Sequence, residues 1–365
     1  MPNELLYQIA LTLVPNIGAV QAKTLIEHFG DAQSVFKARM KTLSAVENIG
    51  EVRAASIKEF KDYSEAEKEI AFIEKYKIQP LFITDANYPQ RLLRCYDPPT
   101  LLYYRGNADL NAEKIVSIIG TRNHTDYGKH VTEKLIADLK EQNVLVVSGL
   151  AFGIDSIAHK SAIQNGLQTV AVLGHGLDII YPSQNKTLAK DILQNGGLLT
   201  EFRRNTKPDK HNFPKRNRVV AGIADATVVV ETAIKGGSMI TAHLANNYNR
   251  DVFAFPGRTT DSKSAGCNYL IEHNYAALLT NAEQLIESMG WQQKKQKPKQ
   301  QIELFIDLTA DEKIIVNILT EKASVHIDEL FLKSGLSSSV IAAAMLSLEL
   351  QNVIVSLPGK MYRLV

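Results

Sequence analysis

The chain has 365 residues, 45% of them hydrophobic, enough for two or three domains with real cores. The formal charge is only +2, so any strong positive field must be local, and the two cysteines, Cys95 and Cys267, are too far apart for CxxC spacing and exclude a disulfide framework or a zinc knuckle. No apolar run is long enough to span a bilayer, and MPNELLYQIALTLVPNIG lacks the basic leader and cleavage site of a secretory signal; a cytoplasmic protein without membrane insertion is expected.

An internal echo marks the first segment, residues 1–78. Ile17-Gly18 followed by Ala22 and Leu25 is matched by Ile49-Gly50 followed by Ala54 and Ile57. Each copy is an apolar–Gly turn ahead of apolar residues at helical period, which predicts two helix–turn–helix hairpins resembling the helix-hairpin-helix (SAM-like) element. Its glycine turns either offer backbone N–H groups to a phosphate or simply permit tight packing.

Over 79–290 the pattern changes. Short β-branched runs (115–119, 144–148, 169–174, 197–201, 226–231 and 251–255) alternate with helical stretches such as Lys129–Glu141 and Ile154–Asn165. Near-continuous apolar strands separated by helices predict an extended Rossmann-like α/β domain, a doubly wound parallel sheet covered on both faces. Residues 291–303, rich in lysine and glutamine, read as a linker. Residues 304–365 offer three helical patterns and a strand pair, the outline of a winged helix. From Phe305 on, five basic residues face seven acids, a net of −2, which favours a protein partner over duplex reading.

In an open parallel sheet, ligands collect where strands end and helices begin. Here those junctions carry small or basic residues: Gly120-Thr121-Arg122, Ser148-Gly149, Gly174-His175-Gly176, Lys235-Gly236-Gly237-Ser238 and Pro256-Gly257. Beside them runs FRRNTKPDKHNFPKRNRV (202–219), in which seven cations face one acid, Asp209. Together they predict a phosphate-lined crevice. No GxGxxG or GxxxxGK[ST] run occurs, so NAD and ATP are poor candidates and no cofactor is expected. Asp155 and His159, four apart on a helix, read as a hydrogen-bonded structural pair ahead of metal ligands, because nothing completes a shell. Glu201 and Glu231 each end a strand; they read as anchors for loops or for Arg216 and Arg218, with an acid/base pair as the alternative.

The junctions form a series. GTRxxxxYG (120–128), SGLAFGIDSIAH (148–159), GHGLDIIYP (174–182), FPKRNRVVAGIA (213–224), GGSMITAHLA (236–245) and FAFPG (253–257) resemble, in order, the DNA-processing protein A (DprA/Smf) family. The resemblance implies a protein that binds single-stranded DNA without catalytic turnover. It would shield incoming strands, load the RecA recombinase in natural transformation, and form a homodimer through the Rossmann-like domain. Carried over to this sequence, it implies DNA contacts at Gly120, Thr121, Arg122, Ser148, Gly149, Phe213, Lys215, Arg216, Asn217, Arg218, Lys235, Gly237 and Ser238. Thr121 replaces a common serine, and Gly236-Gly237-Ser238-Met239 replaces Ser-Gly-Ser-Leu. Two rival readings exist. A phosphoribohydrolase-like enzyme would need PGGxGTxxE, but His243 stands where its acid belongs. A winged-helix transcription factor would need a basic recognition helix, and Ser337–Gln351 holds no Lys or Arg.

Overall fold

A computed structural model describes residues 2–292, 308–322, 324–351, 353–357 and 359–364. The chain divides into two compact units, Met1–Gln292 and Gln293–Val365. The linker expected over 291–303 lies outside the described residues from 293 onward.

The first unit opens with six helices, from Pro2–Leu11 to Ser64–Tyr76. The expected echo is present: helix Ala19–Phe29 starts just after Gly18, helix Gly50–Glu59 starts at Gly50, and Ala22, Leu25, Ala54 and Ile57 are all buried. The repeat is longer than the glycines suggested. Val14-x-Asn16-Ile17-Gly18 matches Val46-x-Asn48-Ile49-Gly50, and both asparagines take left-handed backbone (φ 64° and 61°), a conformation asparagine tolerates well. Arg53 joins the two turns, donating from Nε to the Asn16 carbonyl at 3.1 Å and from Nη1 to that of Asn48 at 3.0 Å. This segment is not a separate body. Leu25, Leu43 and Ile57 belong to one apolar core with Leu102, Ile115 and Val219 of the α/β layer.

That layer holds nine strands: β1 (Gln79–Phe82), β2 (Leu101–Gly106), β3 (Ile115–Ile119), β4 (Leu145–Ser148), β5 (Thr169–Val172), β6 (Gly196–Thr200), β7 (Ala226–Val229), β8 (Asp251–Ala254) and β9 (Ala277–Leu278). Their order is β1-β2-β6-β5-β4-β3-β7-β8-β9. From β6 to β9 all neighbours run parallel, and β3 to β7 are buried at every position, as a sheet covered on both faces requires. All six expected strands are present. The sheet is not purely parallel, because β1 and β2 add an antiparallel pair at one margin. Pro80 sits in the outermost strand, where a missing N–H costs no ladder bond.

The chain winds outward from β3 to β6, then returns through helix Asn212–Ile223 to place β7 on the other side of β3. The reversal between β3 and β7 opens a crevice at their carboxyl ends.

The second unit has helices Ala310–Thr320, Ile327–Ser334 and Ser338–Leu350, with β10 (Val325–His326), β11 (Ile354–Leu357) and β12 (Met361–Leu364) in the order β10-β12-β11. This is the expected winged helix, plus a two-residue strand too short to leave a sequence pattern. Among the described residues no single helix is long and apolar enough to cross a membrane.

The two repeat glycines are predicted to differ on substitution. Gly50 has φ +63° with open space around it, so Gly50→Ala should cost about 1–2 kcal/mol of unfolding free energy from backbone strain alone. Gly18 has φ −95° and caps its helix, and a Cβ there would meet only the end of the Gln21 side chain, so Gly18→Ala should cost less, under about 1 kcal/mol. Urea titration of the two variants measures the difference.

Candidate nucleic-acid interface

The crevice at the switch point has a volume of about 1040 Å³. One wall is the loop leaving β3, Gly120-Thr121-Arg122. Its backbone is fixed: the Thr121 N–H donates to the Glu231 carbonyl at 2.7 Å, and the Thr121 carbonyl accepts from the Ile154 N–H at 3.2 Å. Arg122 is exposed, with its guanidinium carbon 5.6 Å from the centre of the Phe213 ring, within cation–π range. Phe213 in turn lies 6.1 Å from Tyr181, so a cation and two rings line one side.

Helix Asn212–Ile223 supplies the floor. At about 100° per residue, Phe213, Arg216, Asn217 and Val220 share one face, and all four line the crevice. Arg216 is only 6% exposed. Its Nη1 donates to the Val172 carbonyl at 3.3 Å, and it packs on Gly149, where a Cβ would stand 1.4 Å from Nη1. Asp155 lines the same floor. Burial pushes its carboxyl up and the charge of Arg216 opposes this; burial likewise lowers Arg216, and Asp155 opposes that. The guanidinium stays charged across the working range. Asn217 donates to the Gly237 carbonyl at 3.4 Å, tying the floor to the start of helix Gly237–Asn247, and the Ser238 hydroxyl donates to Thr232 at 2.7 Å.

Of the thirteen candidate contacts, eight line the crevice: Gly120, Thr121, Arg122, Phe213, Arg216, Asn217, Gly237 and Ser238. The other five do not. Ser148 is fully buried and donates to the Ile118 carbonyl at 2.6 Å, while Gly149 acts as the seat for Arg216. Lys215 and Arg218 fall on the opposite side of their helix from Phe213 and Arg216, so helical period separates cations that the linear count put together. Lys215 is exposed there. Arg218 is held inward by the Glu201 carboxylate and the Asp97 carbonyl. Lys235 is exposed outside the lining. Conversely, Lys207 and Lys210 line the crevice, although the candidate set omitted them. They lie in the basic run but on a loop, where no periodicity marks which way a side chain faces.

The alternatives resolve structurally. Glu201 anchors Arg218, and Glu231 is wholly buried, accepting from the N–H of Thr125 at 2.9 Å and from its hydroxyl. Neither carboxylate faces the crevice as an acid/base pair requires. Asp155 and His159 do not bond each other: Asp155 accepts from the Ala151 N–H at 3.3 Å, and His159 Nδ1 meets the Thr169 hydroxyl at 2.7 Å. Among the described residues no cluster of three or more metal-ligating side chains occurs.

A basic crevice at a Rossmann-like switch point, in a chain that also carries helix-hairpin-helix and winged-helix segments, defines a class of nucleic-acid-processing proteins. The model of the family described as DNA recombination-mediator protein A matches residues 79–290, more than half of the chain, and models for a helix-hairpin-helix motif and the DprA winged helix domain match 8–70 and 299–360. The chain belongs to the DNA-processing protein A (DprA/Smf) family. Protein Smf of Synechocystis sp. is 38% identical over 295 residues, covering 79% of this chain and 73% of that protein. The DNA processing protein DprA of Streptococcus pneumoniae is 41% identical over 213 residues, 58% of this chain and 75% of that protein. The X-ray structure of S. pneumoniae DprA aligns with TM-score 0.67 at 33% identity, over 77% of this chain and 97% of its own. DNA processing protein A of Helicobacter pylori, whose structure is described for its single-stranded DNA binding mode, aligns with TM-score 0.53 at 33% identity, over 59% and 96%.

Two stability effects are expected. Arg218→Ala leaves the largely buried Glu201 carboxylate without its cation (the pair is 13% and 15% exposed) and should cost about 2–4 kcal/mol in chemical denaturation. Burial, reinforced by Arg216, lowers His159 from 6.5 to about 3, so this ring folds neutral. Below pH 6.5 the unfolded chain takes up a proton that the folded chain refuses, and stability falls until pH approaches about 3. The slope from this ring is at most about 1.4 kcal/mol per pH unit, and His159→Gln should remove that increment from a pH series of urea titrations.

Proposed function

We propose that this protein binds single-stranded DNA along the switch-point crevice through the phosphates, without chemical turnover. The observation carrying this reading is the convergence of Arg122, Arg216, Lys207 and Lys210 with Phe213 on one cleft. Cations beside aromatic faces are the combination that holds a naked strand with little sequence preference. The H. pylori relative, described for its single-stranded DNA binding mode, supports the assignment. In this reading the protein works in the cytoplasm, shields incoming strands during natural transformation, forms a homodimer through its Rossmann-like layer and hands the strand to RecA. The winged helix serves a protein partner. Its net charge is −2, and two of its five cations, Lys322 and Lys333, are already paired with Glu321 and Glu329.

Fluorescence titration of labelled oligonucleotides tests the central claim. Arg122→Ala and the Lys207→Ala/Lys210→Ala pair should weaken binding to all single-stranded sequences alike. Each lost phosphate contact should lower the slope of log K against log salt by about 0.7. Affinity equal to wild type in both variants, or retention of duplex in preference to single strands, would sink the reading.

A further inference from the structure

We propose that Glu69, on helix Ser64–Tyr76, is a positioning residue for the crevice: it fixes the backbone of the loop that carries Lys207 and Lys210. The inference rests on the crevice being the single-strand site proposed above.

Glu69 breaks the pattern of its own helix. Ala66 and Ile73 face the core, and Glu69 lies on the same buried side at only 2% exposure. A carboxylate at a core-facing position is costly unless it meets a donor or a cation. It meets both on one residue of the basic loop. Oε1 accepts the backbone N–H of Arg204 at 3.1 Å, and Oε2 stands 3.6 Å from Arg204 Nε, while Glu65, one turn earlier, reaches the same guanidinium at 3.4 Å.

The neighbouring residues are pinned from the other side. Asp178 accepts the Asn205 N–H at 3.1 and 3.0 Å, and the Thr206 carbonyl accepts from the Gly176 N–H at 3.1 Å. Asn205 takes left-handed backbone, φ 63°, which turns the chain between these anchors. Lys207 and Lys210 follow at once and line the crevice, before Asp209 accepts the His211 N–H at 2.8 Å and the helix begins. The lysines therefore sit on a short span held at both ends, one of the holds coming from the helical segment. Ordering such a span during binding would cost about 1–2 kcal/mol per residue, and anchoring it in the unbound protein removes that cost from the association. The helical segment thus acts on DNA through the loop, without touching the strand at this point.

A double-mutant cycle on the full chain decides the matter, read by fluorescence anisotropy with a labelled oligo-dT. Glu69→Leu and, separately, Asp178→Ala are measured in the wild-type background and in the Lys207→Ala/Lys210→Ala background, with thermal unfolding of each variant alongside. Both anchors should weaken binding about three- to tenfold in the wild type, and the loss should shrink to within about twofold once the lysines are gone. Should Glu69→Leu not fold, Glu69→Met, which keeps the length and removes the oxygen that accepts the Arg204 N–H, replaces it under the same criteria. Unchanged affinity in the Glu69 variant, or an equal loss in both backgrounds, overturns the proposal. If Lys207→Ala/Lys210→Ala itself binds like wild type, the crevice reading of these lysines fails instead.

Discussion

The arrangement on which the crevice depends is a guanidinium sunk into its floor. Removing a charged group from water costs several kcal/mol, roughly, unless oxygens and an opposite charge replace the hydration. Arg216 receives the Val172 carbonyl and the facing charge of Asp155, and it fits only because residue 149 has no side chain. Three separate stretches therefore form one unit. Ser148-Gly149 ends β4, Asp155 opens the next helix, and Arg216 lies on the helix that returns the chain to the far side of β3. A charge held in a poorly polarisable setting also acts more strongly on a nearby phosphate than one on a mobile surface chain.

This burial divides the basic run by task. Arg204 and Arg218 are used within the fold, against Glu65 and Glu69 in one case and Glu201 in the other. Arg122, Lys207 and Lys210 remain around the opening, with Arg216 below them. A cluster of seven cations is thus partly structural, and the field reaching the crevice comes from fewer groups than the composition implies.

The legible parts of the sequence were those governed by short-range periodicity. The strands β3 to β8 announce themselves because a parallel sheet buried on both faces needs unbroken apolar runs. β1 and β2 do not: one contains proline, the other ends in Tyr103-Tyr104-Arg105-Gly106, and their pairing is a long-range event at the sheet margin. Helical phase could have separated Arg216 from Arg218, since two residues on a helix point about 200° apart. No local signal could have assigned Arg204 to Glu69, because they stand 135 positions apart and only the packing of the helical segment on the sheet unites them. The glycine junctions do stand at the strand ends, and at two of them the close approach is made by the protein itself. At Gly149 and Gly120 a Cβ would strike Arg216 and Ile154, so these glycines serve close packing within the protein.

That last point bears on how anions are held here. Dinucleotide sites of this architecture use bare backbone N–H groups at the first strand-to-helix turn. In this chain the turn between β3 and helix Asp126–Asp138 has the N–H groups of Thr121, Asn123, Thr125 and Gly128 already bonded, to the Glu231 carbonyl, the Thr121 hydroxyl, the Glu231 carboxylate and the Thr125 hydroxyl, which leaves fewer bare amides for a single pyrophosphate there. In the proposed function attraction comes chiefly from side-chain cations placed around a cleft of about 1040 Å³, at the upper limit of small-ligand pockets. Distributed point charges favour a ligand that repeats its own charge, tolerate sliding, and respond steeply to salt. In the proposed function, the sheet that serves compact nucleotides elsewhere would take a polymer, through the partial occupation of its own amides and the placement of arginine and lysine around the gap.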